Sequence, residues 1–141
     1  MVQLLQHHYG PDVRLFDDAL LSTLLVRIGS PTTGTAAVPN LVRTAYQRLM
    51  HEVLARGGVI AGSSAGASIQ GSYMARGNSL GNVDSMAAGY ETGLGFLTGV
   101  AIDQHFTQRG RQPDMTKLVN RYPQLLGIGL DEASSIIVQG S

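Results

Sequence analysis

The sequence contains no cysteine. Disulfides, thiolate zinc sites and a cysteine nucleophile are therefore excluded. Neither sign of charge is in excess, since ten Lys and Arg balance ten Asp and Glu. Without a basic field, the chain is not expected to recruit nucleic acid or anionic lipid. No apolar run approaches the roughly 20 residues that a membrane span needs. The opening "MVQLLQHHYGPDVR" lacks a basic segment leading into an apolar one, so no secretory signal is read from it. The expectation is a soluble cytoplasmic chain, or a secreted one if a signal has been lost. Lysine is scarce as well: Lys117 stands alone beside nine arginines. That bias suits bidentate contacts with carboxylates, and it suits codon usage equally well.

What is present reads as one globular domain. The chain has 141 residues, 43% hydrophobic and 14% charged, enough for a core and too apolar for a disordered tail. Residues 1–40 are the least legible. "DDALLSTLLVRIG" reads as a short helix, or a helix running into a strand, and "SPTTGTAAVPN" as a loop. From Leu41 the pattern sharpens. Leu41, Ala45, Leu49 and Val53 recur every four residues, which predicts an amphipathic helix with Asn40 as N-cap and Gly57-Gly58 at its end. "GVIAG" has the size of a buried parallel strand. A turn follows, and then "AGASIQGSYMAR", which is expected to be helical.

Beyond a glycine-rich loop, "VAI" predicts a strand ending in "DQHFTQRGR". Pro113 and Asp114 open a short helix, with Asp114 expected at the cap. "LLGIGLDE" and "SIIVQG" then predict two strands joined at a turn. Strands alternating with helices predict an α/β fold with a mainly parallel sheet. No internal repeat is visible.

One turn carries chemistry. Gly62-Ser63-Ser64-Ala65-Gly66 follows the predicted strand and precedes the predicted helix. A strand-to-helix turn can hold a serine out as a nucleophile, and glycines two before and two after it avoid collisions there. Only Ser64 has glycine at both positions; Ser63 has Ala61 and Ala65. The next N–H, that of Ala65, would point at developing negative charge, and one such donor lowers a barrier by about 3 kcal/mol. The competing reading is a small-residue structural turn.

A serine nucleophile needs a base. His7 and His8 lie in the ragged N-terminus, and His51 lies on the amphipathic helix. His105 instead ends a predicted strand, where α/β folds place their sites. It sits in a polar cluster with Asp103, Gln104, Arg109 and Arg111. A carboxylate must orient the imidazole. Asp131, Glu132 and Asp103 are the candidates. A serine-first, histidine-second order departs from that of the α/β hydrolases, whose histidine comes last, and this argues against an esterase.

"GGVIAGSSAGASIQGSYMARG", "VAIDQHFTQRGR" and "LLGIGLDEASSIIV" together resemble peptidase family S51, and within it the cyanophycinases more than dipeptidase E. The resemblance covers residues 41–141. It implies a flavodoxin-like three-layer sandwich similar to class I glutamine amidotransferases. It implies Ser64 as nucleophile, His105 as base, Glu132 as third member and Ala65 N–H as oxyanion donor. Asp103, Gln104, Arg109 and Arg111 match residues that line the substrate pocket in such enzymes.

The implied function is a serine-type peptidase cutting multi-L-arginyl-poly-L-aspartate to β-aspartyl-arginine dipeptides. No metal or cofactor is implied, and a homodimer is allowed. The rivals are an aspartyl dipeptidase of the dipeptidase E kind and an inactive remnant or binding domain. Family members are longer. They carry a Gly-Gly-x-Gln-like motif where this chain has "GSPTTGTAAVPN", so the N-terminal part of the fold is expected to be incomplete and a second oxyanion donor to be missing.

Overall fold

The computed structural model describes residues 3–11 and 15–140. By packing, the chain divides into two compact units, residues 1–60 and 61–141.

The first unit opens with an antiparallel pair, β1 (Gln3–Leu5) and β2 (Leu15–Asp17). Two helices follow, α1 (Ala19–Gly29) and α2 (Val38–Ala55). Asp18 caps α1 by accepting the Leu21 N–H at 2.8 Å, which satisfies one of the orphan donors of the first turn. The same carboxylate takes both Nε and Nη2 of Arg48 on α2, at 3.0 and 2.8 Å. Leu24, Leu41 and Ala45 form the buried contact between the helices, with Leu21 and Ile28 packed on it. The periodicity that predicted α2 is its buried stripe over Leu41 and Ala45 only; Leu49 is half-buried and Val53 is exposed. Its start differs from expectation. The N-cap is Ala37 and Pro39 lies in the first turn, so Asn40 is inside the helix. A proline is favoured there because its missing N–H would have been unpaired anyway.

The second unit is α/β. Its sheet is wholly parallel, in the order β3 (Gly71–Tyr73), β4 (Leu97–Gln104), β5 (Leu126–Leu130). The short helix α3 (Ala65–Ser68) precedes β3, and α4 (Gln112–Arg121) crosses from β4 to β5. Tyr73, Ala101, Met115 and Leu118 form the core, with Phe106, Val119 and Tyr122 packed on it. Leu118 is 0% exposed, and burying such a side chain contributes roughly 1.5–3 kcal/mol. The glycines of Gly-Ile-Gly allow this packing. A Cβ at Gly127 would meet Met115 and Val119 of α4, and one at Gly129 would collide with the Phe106 ring. β5 can thus carry α4 and Phe106 directly on its backbone.

Four expectations fail here. Val59 and Ile60 form no strand, and Val59 is 83% exposed. A strand exists only with a ladder partner, and none pairs with them among the described residues. The helix after the serine turn stops at Ser68. Its continuation becomes β3, because the Leu94 and Leu97 N–H groups take the Ile69 and Gln70 carbonyls at 2.6 and 3.1 Å. Asp114 lies in the first turn of α4 rather than at its cap, which is Arg111. The final "SIIVQG" pairs with nothing among the described residues and forms no strand, leaving Ile137 85% exposed.

Candidate active site

Ser64 sits between the unpaired segment and α3, with φ 52° and ψ −124°. A side chain is costly at such a positive φ, of the order of 1–3 kcal/mol, and strain of that kind clusters at functional sites. Gly62 makes the turn possible. A Cβ there would run into the Gly66 carbonyl and approach Gln70 Nε2 at 2.8 Å. Gly66 is different from expectation: a Cβ there would meet nothing within 4 Å. One flanking glycine, not both, is required sterically. The Ala65 N–H, at the first position of α3, donates to no group among the described residues.

His105 follows the last residue of β4, also with a positive φ of 49°. This turn swings the imidazole off the strand direction and toward the serine. Ser64 Oγ and His105 Nε2 are 3.2 Å apart. His105 Nδ1 and Glu132 Oε1 are 3.1 Å apart. A carboxylate can only accept, so Nδ1 carries the proton and Nε2 is left to accept from the serine hydroxyl. β4 and β5 are parallel neighbours, and their last pair is Gln104 with Leu130. His105 and Glu132 therefore leave the same end of the sheet side by side. The Glu132 side chain is 63% exposed and that of His105 is 26% exposed.

The other carboxylates weighed from the sequence go elsewhere. Asp131 accepts from Thr107 twice, from its N–H at 2.6 Å and its hydroxyl at 2.9 Å. Asp103 is 1% exposed. Arg76 Nε lies 3.0 Å from both of its oxygens, and Arg111 Nη1 lies 2.8 Å from one of them. Arg111 Nη1 also donates to the Gln104 carbonyl at 2.6 Å. Burial disfavours the charged form of Arg111 and lowers its pKa. Arg76 also reaches the Asn82 and Val83 carbonyls and Asp114, whose Oδ2 is 2.8 Å away.

Asp103 thus holds both Arg76 and Arg111 inside the fold. Gln104 is half-buried, and its Oε1 accepts no hydrogen bond among the described residues. Arg109 is exposed. The sequence pattern points to neither Arg76, which it places in a helix, nor Thr107. Neither carries a spacing signal that could have found it. No three His, Asp or Glu side chains among the described residues converge as a metal ion would need. No helix among them is long and apolar enough to cross a membrane.

Ser64, His105 and Glu132 stand in one line of hydrogen bonds. The model of peptidase family S51 matches residues 38–141. The chain belongs to that family. It is 36% identical over 81 residues to a cyanophycinase of Geminocystis herdmanii, which is 57% of this chain and 30% of that protein. A cyanophycinase of Trichormus variabilis is 37% identical over 87 residues, 60% of this chain and 29% of that protein. One of Synechococcus elongatus is 38% identical over 88 residues, 62% of this chain and 27% of that protein. The chain thus spans less than a third of the length of the curated relatives it matches. No solved structure matches it significantly.

Proposed function

We propose that the chain is a serine-type peptidase that hydrolyses aspartyl peptide bonds, with Ser64, His105 and Glu132 as its triad and the Ser64 turn as a nucleophile elbow. The observation that carries the reading is the pair of distances at His105, 3.2 Å to Ser64 and 3.1 Å to Glu132. Membership of family S51 and the likeness to cyanophycinases support it.

In this mechanism Ser64 Oγ attacks the scissile carbonyl as His105 Nε2 takes its proton. The free Ala65 N–H holds the oxyanion, and one donor of that kind is worth about 10²–10³ in turnover. His105 then returns the proton to the leaving amine, and water hydrolyses the acyl-enzyme by the same base. Glu132 keeps Nδ1 protonated, so that Nε2 stays free to act. Arg109, which is exposed, and Gln104, whose Oε1 is buried without a partner among the described residues, are the groups assigned to hold substrate. A guanidinium matches a carboxylate in planar geometry. The substrate by likeness is multi-L-arginyl-poly-L-aspartate, cut to β-aspartyl-arginine.

The test is to supply that polymer and short peptides with an N-terminal aspartate to the wild type and to Ser64→Ala. Release of β-aspartyl-arginine from the polymer by the wild type alone is expected. Cleavage confined to the short peptides would replace the reading with an aspartyl dipeptidase. A specific observation favours one further reading, a non-catalytic remnant: the segment before Ser64 pairs with no strand among the described residues. Binding of the polymer without release of β-aspartyl-arginine would support it.

A further inference from the structure

We propose that Asp131 is a positioning residue, whose carboxylate ties the turn carrying His105 to the turn carrying Glu132. This rests on the triad reading above. The sheet itself does not fix the two side chains relative to each other. The β4–β5 ladder ends at Gln104 and Leu130, one residue before His105 and two before Glu132. Both segments then leave extended geometry, with His105 at φ 49° and Ala133 at φ 58°. Strained turns of this kind persist only where their surroundings over-determine them.

The over-determination is visible. The Phe106 N–H donates to the Leu130 carbonyl at 3.1 Å. The Thr107 N–H and hydroxyl then fill both oxygens of Asp131, at 2.6 and 2.9 Å. On its own side Asp131 is anchored in turn. Its carbonyl accepts from the Ser134 N–H at 3.2 Å and the Ser134 hydroxyl at 2.7 Å. These bonds fall on Phe106 and Thr107, one and two residues after His105, and on Leu130 and Asp131, two and one before Glu132. They extend the strand pairing beyond the ladder. Asp131 gives nothing to the imidazole; it acts through where it places it.

The experiment compares wild type, Asp131→Ala, Asp131→Asn and Thr107→Val by two readouts. One is the rate at which a fluorophosphonate labels Ser64. The other is the ¹⁵N and ¹H signature of the His105 Nδ1–H···Glu132 bond in histidine-labelled protein. Asp131→Ala is expected to slow labelling about 10²-fold, the cost of a misplacement near 1 Å, and to erase the Nδ1–H signature. Asp131→Asn is expected to restore both. Its amide oxygen can take the Thr107 N–H, and its NH₂ can donate to the hydroxyl.

Thr107→Val loses one bond of two and is expected to fall between, and it serves if Asp131→Ala does not fold. An unchanged signature in a folded Asp131→Ala overturns the proposal. So does an Asn variant as impaired as the Ala variant, since charge and not position would then matter. If the wild type is not labelled, the peptidase reading fails, while the resonance still decides the role of Asp131.

Discussion

His105 Nδ1 lies 3.1 Å from Glu132 Oε1, and the two residues reach each other from the ends of neighbouring parallel strands. The glutamate is 63% exposed, so water screens its charge more than it would screen a buried orienting carboxylate. Glu132→Gln keeps the shape and loses the charge that favours the imidazolium. Replacing a buried orienting carboxylate by its amide costs about 10⁴ in kcat, and the exposure places this one well below that figure. A fall in kcat of about 10²-fold with KM unchanged is expected from steady-state kinetics. A fall beyond 10⁴-fold would mean that the site closes over the glutamate during turnover.

The two glycines of the serine turn predict opposite results. Gly62→Ala places a Cβ on the Gly66 carbonyl, so the turn must move and carry Ser64 with it. A displacement near 1 Å costs about 10² in rate, and fluorophosphonate labelling should slow accordingly. Gly66 faces open space, and alanine in a helix is favoured over glycine by about 0.5–1 kcal/mol. Gly66→Ala should label at the wild-type rate and melt no lower.

Asp103 is predicted to matter for stability before it matters for substrate. It holds Arg76 and Arg111 by ion pairs of 3.0 and 2.8 Å, with all three side chains at most 5% exposed. Removing one partner of a buried pair leaves an uncompensated charge and costs about 3–5 kcal/mol. Asp103→Ala should lower the urea midpoint of the second unit accordingly. If stability is unchanged and only KM rises, the carboxylate faces substrate, as the family resemblance implies.

Acid should weaken the first unit through Asp18. The Leu21 N–H, and after it the Arg48 guanidinium, hold its carboxyl below the usual carboxylate range. A depressed pKa contributes stability that is present above the unfolded-state value and is lost as pH falls through the folded one. Hydrogen exchange of α1 followed downward in pH should show protection falling in that window. Asp18→Asn retains a cap and loses the ion pair, so its exchange should depend less on pH there. Equal pH dependence in both proteins would remove Asp18 as the cause.

Legibility followed the reach of the physics involved. The strand before His105, the Gly-Ile-Gly strand before Glu132 and the amphipathic α2 were readable, because each rests on a local pattern. Val59–Ile60 and Ser135–Gly140 look like strands and are not, because a strand needs a partner that lies elsewhere in the chain. The sequence pattern of β3 suits a helix, and the bonding that makes it a strand comes from residues more than twenty positions away. The choice of Glu132 over Asp131 turns on Thr107, which claims both oxygens of the aspartate. Asp103 was legible as a polar residue at a strand end. Its burial was not, since Arg76 closes on it from 27 residues upstream.

The most direct test of the central claim is intact mass after treatment with a fluorophosphonate probe, for the wild type beside Ser64→Ala. The account predicts a single adduct on the wild type and none on the variant. A folded wild-type chain that takes no adduct, or an adduct that persists in Ser64→Ala, would contradict it.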